Sequence, residues 1–459
     1  VVMSDDVEKY SIYVGMAPGL RDERRDHIDA VQRELREQKG VSVLLYDQTC
    51  AAEKRRRRKR GKFPDPAKRA FINEAVCEGC GDCSVKSNCL SVEPVETEFG
   101  RKRAINQSSC NKDYSCVNGF CPSFVTIEGG GLRKRKAAQT KNDEMNDLPL
   151  PRIPAITHPY GVLITGVGGT GVVTIGALLG MAAHMENKGI TVLDMTGLAQ
   201  KGGAVFSHVR IGNRPEDIHA VRIAAGEANL VLGCDLVVAA SDEAIAKMQT
   251  GLTRAVINHS MAPTAEFTRN ADLQFPVEDM VATIQEEVSA ANADFIDATG
   301  LATGLMGDAI ATNLFMMGYA FQKALLPLQL ESIMQAIELN GVSIEMNKQS
   351  FTWGRRAAHN LKAVTDIAEP KAELPQSQVM SESLDETIAR RVKYLTAYQD
   401  AAYAARYTAL VEKIRTAEKQ LLSKQTLTEA VAKYYFKLLA IKDEYEVARL
   451  YTDGEFTRK

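Results

Sequence analysis

The stretch Tyr160-Gly-Val-Leu-Ile-Thr-Gly-Val-Gly-Gly-Thr-Gly171 joins an apolar strand to a glycine-rich turn, and an apolar helical segment follows it through Met185. Strand, glycine turn and helix in this order present backbone N–H groups to a phosphate. Further apolar strand segments follow at 190–194, 230–239, 255–258 and 295–298. Helical segments alternate with these strands. The sequence therefore predicts a Rossmann-like α/β domain with a mostly parallel sheet covered on both faces.

Two further features of this region bear on its ligand. Asp194 follows the second strand, about where a dinucleotide-binding domain places the carboxylate that binds a ribose hydroxyl. A second glycine turn at 198–203 is not needed by a simple dinucleotide site. Close packing of a helix on a strand also accounts for some of these glycines, so NAD binding stays one of several alternatives.

Seven of the nine cysteines lie between residues 77 and 121. The first three are spaced C-x2-C-x2-C, and a Cys-Pro pair follows after a chain reversal, as in bacterial ferredoxins. By the crossed ligation of two-cluster ferredoxins, we predict two [4Fe-4S] clusters. The predicted ligands of the first cluster are Cys77, Cys80, Cys83 and Cys121. The predicted ligands of the second cluster are Cys89, Cys110, Cys116 and Asp113.

Asp113 stands where the ferredoxin spacing places the middle cysteine of the second set. A carboxylate oxygen is a harder ligand than a thiolate and binds iron less firmly. We therefore predict that the second cluster loses one iron on mild oxidation and converts to a [3Fe-4S] form.

A disulfide framework and a zinc site are the alternative interpretations of these cysteines. Disulfide-rich domains are small and secreted, whereas this chain is long and shows no secretory signal. Zinc sites usually combine two Cys-x2-Cys pairs rather than three cysteines at successive spacings. Of the two remaining cysteines, Cys234 fits a small buried residue, and Cys50 fits either that role or an additional ligand.

The composition is that of an ordinary globular protein, with 45% hydrophobic and 25% charged residues in 459. This length is enough for about three domains. A net charge of −2 predicts no bulk attraction to nucleic acid or membrane, and no apolar run is long enough to span a bilayer. The basic run 54–60 is either a solvated loop, a surface that steers an acidic electron carrier, or a phosphate site.

Five domains or segments are predicted along the chain. Residues 1–62 contain a strand at the start, a helix at 25–38 and a buried strand at 41–46, which is too little to form a domain alone. We expect the chain to begin inside a larger polypeptide or to pair with another chain. The others are a cysteine module at 63–135, a linker at 136–159, the α/β domain at 160–345 and a helical region at 346–459. No catalytic triad is apparent, and His208 is expected to be structural.

Together these motifs resemble the carboxy-terminal portion of the long bacterial indolepyruvate ferredoxin oxidoreductases, over almost the whole chain. The residues that carry the resemblance are Tyr46-Asp-Gln-Thr-Cys-Ala-Ala-Glu-Lys-Arg-Arg-Arg-Arg-Lys-Arg60, Cys77-Glu-Gly-Cys-Gly-Asp-Cys83, Asn118-Gly-Phe-Cys-Pro122, Gly166-Val-Gly-Gly-Thr-Gly171 and Ala199-Gln-Lys-Gly-Gly203. The family is similar to other 2-oxoacid:ferredoxin oxidoreductases.

The resemblance implies oxidative decarboxylation of an indolepyruvate-type 2-oxoacid to an acyl-coenzyme A, with electrons passed through the clusters to ferredoxin in the cytoplasm. Residues 1–62 would end a thiamine-diphosphate domain, and 160–345 would form a gamma-type domain. Its glycine turns would face the active site. The cofactor-contacting residues so implied are Gly166, Gly168, Gly169, Gly171, Gln200, Lys201, Gly202 and Gly203.

A Gly-Asp-Gly motif followed by Asn-Asn is the pattern that resembles a thiamine-diphosphate and magnesium site. This sequence does not contain that pattern. We therefore expect the carbon chemistry on sequence upstream or on a partner chain, in a homo-oligomer or multichain complex. One alternative is an iron–sulfur electron-transfer subunit whose Rossmann domain binds NAD(P) or a flavin. Another is a scaffold that carries a sensing cluster.

Overall fold

A computed structural model describes residues 1–6, 19–130, 148–196, 203–261, 265–268, 270, 272–368, 378–421 and 424–458. The chain divides into two compact units, Val1–Pro66 with Asn111–Asp113, and Ala67–Cys110 with Tyr114–Lys459. Of the predicted linker, residues 136–147 lie outside the described ranges.

The first unit contains a sheet of three parallel strands in the order β2-β1-β3. Its elements are β1 (Val2–Ser4), β2 (Asp22–Arg24), α1 (Ile28–Arg36), β3 (Leu45–Asp47) and α2 (Ala51–Lys59). The strand at the start and the helix within 25–38 are confirmed. The buried strand predicted at 41–46 is wrong, because only 45–47 pair with β1 and the side chain of Val41 is 98% exposed. The basic run 54–60, for which a solvated loop is one of the interpretations above, lies on α2 as far as Lys59.

The cysteine module forms two antiparallel strand pairs with one short helix. Its elements are β4 (Lys68–Ile72), α3 (Asp82–Ser87), β5 (Val92–Val95), β6 (Lys102–Ile105) and β7 (Phe124–Glu128). β4 pairs with β7, and β5 pairs with β6. The pairing of β4 with β7 brings the two ends of the module together, so that the loop after β4 lies beside the Cys-Pro segment that precedes β7.

The following region contains a sheet in the order β13-β12-β11-β8-β10-β9. Its strands are β8 (Tyr160–Val167), β9 (Gly189–Thr196), β10 (Ala204–Gly212), β11 (Leu230–Gly233), β12 (Arg254–Asn258) and β13 (Ala293–Ile296). Strands β13, β12, β11 and β8 are parallel, whereas β10 is antiparallel to β8 and β9. The predicted sheet is therefore mixed, with the unpredicted strand β10 inserted between the first two predicted strands.

Helices cover both faces of this sheet. They are α4 (Val172–Met185), α5 (Leu236–Ala239), α6 (Asp242–Ile245), α7 (Val277–Val288), α8 (Ala298–Met306), α9 (Thr312–Gln322), α10 (Leu330–Asn340), α11 (Ile344–His359) and α12 (Leu361–Ala368). One core contains α4 and α8 to α12, and the other contains residues of α5 to α7. Met316 and Met317 are fully buried in the first core, which confirms that they serve packing.

The carboxy-terminal region is helical, as predicted, and has its own hydrophobic core. Its helices are α13 (Leu384–Tyr398), α14 (Ala401–Leu421), α15 (Thr426–Leu439), α16 (Glu444–Thr452) and α17 (Glu455–Arg458). Within the described ranges, no helix has both the length and the apolar character needed to cross a bilayer.

Candidate functional site

The loop between β4 and α3 holds Cys77 and Cys80, and Cys83 lies in the first turn of α3. Gly79 and Gly81 have φ angles of +73° and +85°, in the left-handed region that favours glycine. A Cβ on Gly79 would lie 2.2 Å from the carbonyl oxygen of Arg101, so no other residue fits there without a shift. The N–H of Gly79 donates to Cys77 Sγ at 3.3 Å. The two glycines thus allow a loop tight enough to turn three thiols towards one side.

The predicted ligands of the first cluster surround one cavity of about 270 Å³. Its lining includes Cys77, Cys80, Cys83 and Cys121, together with Cys116 and the apolar side chains of Ile72, Val76 and Phe124. The thiols of Cys77, Cys80, Cys83 and Cys121 are free rather than joined in disulfides. The structure therefore brings together the four residues that the spacing selects, which are distributed over 45 positions from 77 to 121.

The donor set of this cavity, four cysteine thiols, is one that iron–sulfur clusters use. Across the described residues, no three His, Cys, Asp or Glu side chains converge as ligands of one ion. The four thiolates of a [4Fe-4S] cluster bind different iron atoms, so they surround a volume rather than a point. Four thiols around an apolar-walled cavity have that arrangement.

The second predicted ligand set is only partly brought together. Cys89 and Cys116 pack on the small hydrophobic core that contains Cys77. The N–H of Cys110 donates to the carbonyl of Asn106 at 3.0 Å, and the thiol is half-buried. Asp113 belongs to the first compact unit, and its ligation of iron stays a prediction.

The surroundings of Cys83 oppose ionisation of its thiol. Burial raises the pKa of Cys83 to about 11, and the neighbouring thiols of Cys77, Cys121 and Cys80 act in the same direction, whereas Arg103 opposes them. Bound metal must therefore displace the proton of the Cys83 thiol. Burial also lowers the pKa of Lys102 to about 8, with a contribution from nearby Lys442.

Three cationic residues beside the cavity were not identified from the sequence. Arg103, which is 1% exposed, lines the cavity, and the amines of Lys102 and Lys442 both donate to the carbonyl oxygen of Cys77. Lys442 lies 365 positions from Cys77 along the chain, and no local spacing pattern could have connected them.

The glycine turn at 166–171 lies at the carboxyl end of β8, beside the neighbouring strand β11. The chain leaves β8 towards one side of the sheet and continues from β11 towards the other, which is where open α/β sheets bind ligands. A Cβ on Gly166 would lie 2.6 Å from Val172 Cγ2 and 3.0 Å from Cys234 Cβ. Gly169 and Gly171 have positive φ angles of +87° and +96°. Close packing of helix α4 on the strands therefore accounts for Gly166, in agreement with the structural interpretation of these glycines.

The two predicted glycine turns meet in the structure at one point. The N–H of Gly168 donates to the carbonyl of Gly203 at 2.8 Å. Gln200, Lys201 and Gly202 lie outside the described residues, and their predicted cofactor contacts stay predictions.

Buried polar groups lie near this end of the sheet. Burial raises the pKa of the Asp235 carboxyl to about 6, although backbone N–H groups of Val238 and Val237 oppose the shift. Asp235 Oδ2, Thr165 Oγ1 and Ser207 Oγ are buried with no hydrogen-bond partner among the described residues. Cys234 is buried too, as predicted, and burial raises the pKa of its thiol far above its usual value.

The position of Asp194 argues against a dinucleotide site of the usual type. In such a domain the strand that carries the acidic residue lies beside the strand of the glycine turn. Here β10 separates β9 from β8, and Asp194 pairs with Ser207 of β10. Two strand spacings, about 10 Å, therefore lie between the two strands.

His208 is buried, as expected of a structural histidine, and its Nε2 has no hydrogen-bond partner among the described residues. Its side chain is fully buried on β10, and its Nδ1 accepts a hydrogen bond of 3.2 Å from the N–H of Ile223. Burial lowers its pKa to about 4, so the ring is neutral at physiological pH.

The basic run is structured rather than loose. Arg56 and Arg57 pair with Glu53 at 3.2 and 3.1 Å. The guanidinium of Arg58 donates to the carbonyl of Asn111 at 2.6 Å and lies over the ring of Phe63. These contacts lie within the first compact unit. They do not test the roles predicted for the basic run, which are docking of an electron carrier and phosphate binding.

Comparison with known proteins relates two segments to families. The family described as pyruvate ferredoxin/flavodoxin oxidoreductase matches residues 161–357, and a family of unknown function (DUF6537) matches residues 384–459. The indolepyruvate oxidoreductase subunit IorB of Methanothermobacter thermautotrophicus is 27% identical over 201 residues, which are 43% of this chain and 97% of that protein. The subunit of the same name from Thermococcus kodakarensis is 28% identical over 205 residues, 44% of this chain and 97% of that protein.

Among solved structures, the pyruvate oxidoreductase subunit PORC of Thermotoga maritima is 17% identical with a TM-score of 0.32, covering 44% of this chain and 97% of that one. The relationship to these curated relatives extends over less than half of the chain. The oxidoreductase family match lies in the α/β region. Residues 161–357 thus form a domain of the pyruvate ferredoxin/flavodoxin oxidoreductase family, and the relatives named above are indolepyruvate oxidoreductase subunits.

Proposed function

We propose that this chain carries the electron-transfer module and the gamma-type domain of an indolepyruvate-type 2-oxoacid:ferredoxin oxidoreductase. The observation that carries the proposal is the convergence of Cys77, Cys80, Cys83 and Cys121 on one cavity. Family membership through residues 161–357 supports the oxidoreductase assignment independently of the cysteines. An iron–sulfur cluster in that cavity would supply one-electron transfer at low potential.

In this proposal the chain's own residues hold and shield two clusters. Cys77, Cys80, Cys83 and Cys121 bind the first, while Ile72, Val76 and Phe124 limit the access of water to it. The second is bound by Cys89, Cys110, Cys116 and Asp113. Because the first site is more enclosed by described side chains, we assign it the more stable cluster.

The carbon chemistry is proposed to lie outside this chain. Residues 1–62 end a domain for thiamine diphosphate and magnesium whose remaining parts lie upstream or on another chain. The glycine turns of the gamma-type domain face the 2-oxoacid or coenzyme A, and the electrons leave to ferredoxin in a cytoplasmic multichain complex. Support for the location of this ligand is the junction of β8 and β11, where buried polar groups of Asp235 and Thr165 lack partners among the described residues.

The test compares the full chain with two cysteine variants, all prepared anaerobically. We expect the wild-type chain and Cys234→Ala, a control away from the cavity, to show an iron–sulfur electron paramagnetic resonance signal on reduction with dithionite. Cys80→Ser should lose the signal of one cluster. A wild-type chain without any such signal, or a Cys80→Ser variant identical to it, contradicts the proposal.

The same samples separate this proposal from the alternative electron-transfer subunit. Reduction of the clusters by NADH alone would favour an NAD(P)-linked enzyme, whereas we expect no reduction, because β10 separates Asp194 from the strand of the glycine turn. Turnover of 2-oxoacid by the isolated chain would contradict the location of the thiamine site.

A further inference from the structure

Two ammonium groups meet at the backbone of the first predicted ligand. The Nζ atoms of Lys102 and Lys442 donate to the carbonyl oxygen of Cys77 at 2.7 and 3.2 Å. Lys442 also pairs with Glu78 Oε1 at 2.6 Å, and its side chain is 14% exposed. One largely exposed carboxylate therefore faces two buried or nearly buried ammonium groups. The net charge of these three side chains is positive.

Arg103 adds to this positive balance at the cavity wall. Its guanidinium lies 4.9 Å from the ring centre of Phe267, and the residue is 1% exposed. Like charges brought together away from water repel strongly, so such an arrangement needs negative charge nearby. Asp82 and Lys86, which also line the cavity, are exposed and of opposite sign, so they add little. A cluster held by four thiolates would bring negative charge to this point.

Lys442 reaches this site because the carboxy-terminal helices pack against the cysteine module. The hydroxyl of Tyr451 donates to the carbonyl of Pro122, next to Cys121, at 2.6 Å. Asn73 donates to the carbonyl of Leu450 at 3.4 Å, and the rings of Phe71 and Phe456 lie 6.2 Å apart. These contacts lie on both chain segments that form the cavity, so the position of Lys442 is fixed by several independent attachments.

A second attachment lies further from the cavity. Arg391 of α13 pairs with Glu98 at 2.5 Å, and both side chains are buried. The ring of Phe99 packs on Tyr394 and Phe436 at centroid distances of 5.2 and 5.5 Å. The cysteine module and the helices 384–458 therefore share a core rather than a few surface contacts.

We propose that the carboxy-terminal helices, the segment that matches a family of unknown function, deliver Lys442 to the first cluster, where its charge and that of Lys102 raise the reduction potential. This inference rests on the proposed function. A cluster becomes more negative when it accepts an electron, and fixed positive charge in a poorly hydrated site stabilises that reduced form. The carboxy-terminal helices thus influence the reduction potential of the first cluster, although they lie far from the cysteines in the sequence.

The experiment is a potentiometric titration of the cluster in the full, cluster-loaded chain, followed by electron paramagnetic resonance. For Lys442→Gln we expect the ratio of reduced to oxidised cluster at a fixed potential to fall about tenfold, which is about 59 mV for a one-electron couple. Lys442→Arg should keep the wild-type potential. Lys413→Gln removes the same charge from an exposed position on α14 and should leave the potential unchanged.

If Lys442→Gln fails to bind its cluster, a variant that removes a negative charge instead of a positive one tests the same inference. Glu78→Gln removes the carboxylate that partly neutralises Lys442, so the potential should rise. A loaded cluster whose potential is unchanged in Lys442→Gln, or in Glu78→Gln, overturns this inference and leaves the proposed function standing. A wild-type chain that binds no iron and sulfide overturns both.

Discussion

The buried ion pair between Glu98 and Arg391 should control how firmly the carboxy-terminal helices hold the cysteine module. Arg391 donates to Glu98 Oε1 at 2.5 Å and to the Glu98 carbonyl at 3.1 Å. Its guanidinium also lies 5.8 and 5.6 Å from the ring centres of Phe99 and Phe436. Arg391→Met removes these contacts and leaves the buried Glu98 carboxylate with the N–H of Ser381 at 2.8 Å and the guanidinium of Arg390 at 4.0 Å.

The expected loss of stability is about 3 kcal/mol, the low end of the cost of removing one partner of a buried pair, because Ser381 and Arg390 still face the carboxylate. Glu98→Gln should cost less, because the amide oxygen can still accept from Arg391. The double variant should be more stable than the sum of the single effects predicts, by about 1–3 kcal/mol, because the two residues interact directly. As a control, Lys362→Gln breaks the exposed pair of Lys362 with Asp366 and should cost under about 0.5 kcal/mol.

Hydrogen exchange of the backbone amides of α13 is the suitable assay, because it reports local opening of this region rather than unfolding of the whole chain. A loss of about 3 kcal/mol accelerates exchange there by roughly 100-fold, since each 1.4 kcal/mol is a factor of ten. Exchange in α13 that is as slow in Arg391→Met as in the wild type would refute the reasoning.

The same pair predicts a pH dependence. Burial acts to raise the pKa of Glu98, but hydrogen bonds from Arg391 and Ser381 outweigh it and hold the pKa below its ordinary value. A carboxyl with a lowered pKa in the folded state stabilises the fold above its ordinary pKa, and the contribution is lost as the pH falls through the folded-state value. The wild-type advantage over Glu98→Gln should therefore be present at neutral pH and decline in acid.

Two other predictions concern His208 and Asp113. Because the pKa of His208 is lowered to about 4, the unfolded chain takes up the proton first, and we expect the stability advantage of the wild type over His208→Asn to fall by about 2 kcal/mol between pH 7 and pH 5. A constant difference in the free energy of unfolding across that range would exclude this account. Asp113→Cys should abolish the three-iron electron paramagnetic resonance signal that mild oxidation of the wild type produces; if the signal persists, Asp113 is not the labile ligand.

The parts of the fold that sequence analysis predicted are those with local causes. The helix Val172–Met185 follows directly from its glycine turn and apolar composition, and the tight loop before α3 follows from Gly79 and Gly81. The strand predicted at 41–46 has the same β-forming residues as a buried strand. The residue types alone do not determine whether a partner strand lies beside this segment. In the structure, Val41 is 98% exposed.

The parts that were missed depend on contacts between distant segments. Strand β10 follows the second glycine turn closely, and its antiparallel position between β8 and β9 is set by pairing rather than by composition. The cysteine spacing identified four residues that line one cavity, since ligand spacing is a local property of the chain. The cations around that cavity come from β6 and from the segment before α16, so only the tertiary structure identifies them.

The count of iron and inorganic sulfide in the anaerobically purified wild-type chain tests the central claim most directly. Two [4Fe-4S] clusters predict about eight atoms of each per chain, or somewhat fewer where the second cluster has lost iron. Colourless protein that contains zinc in place of iron, or neither metal, would contradict the account.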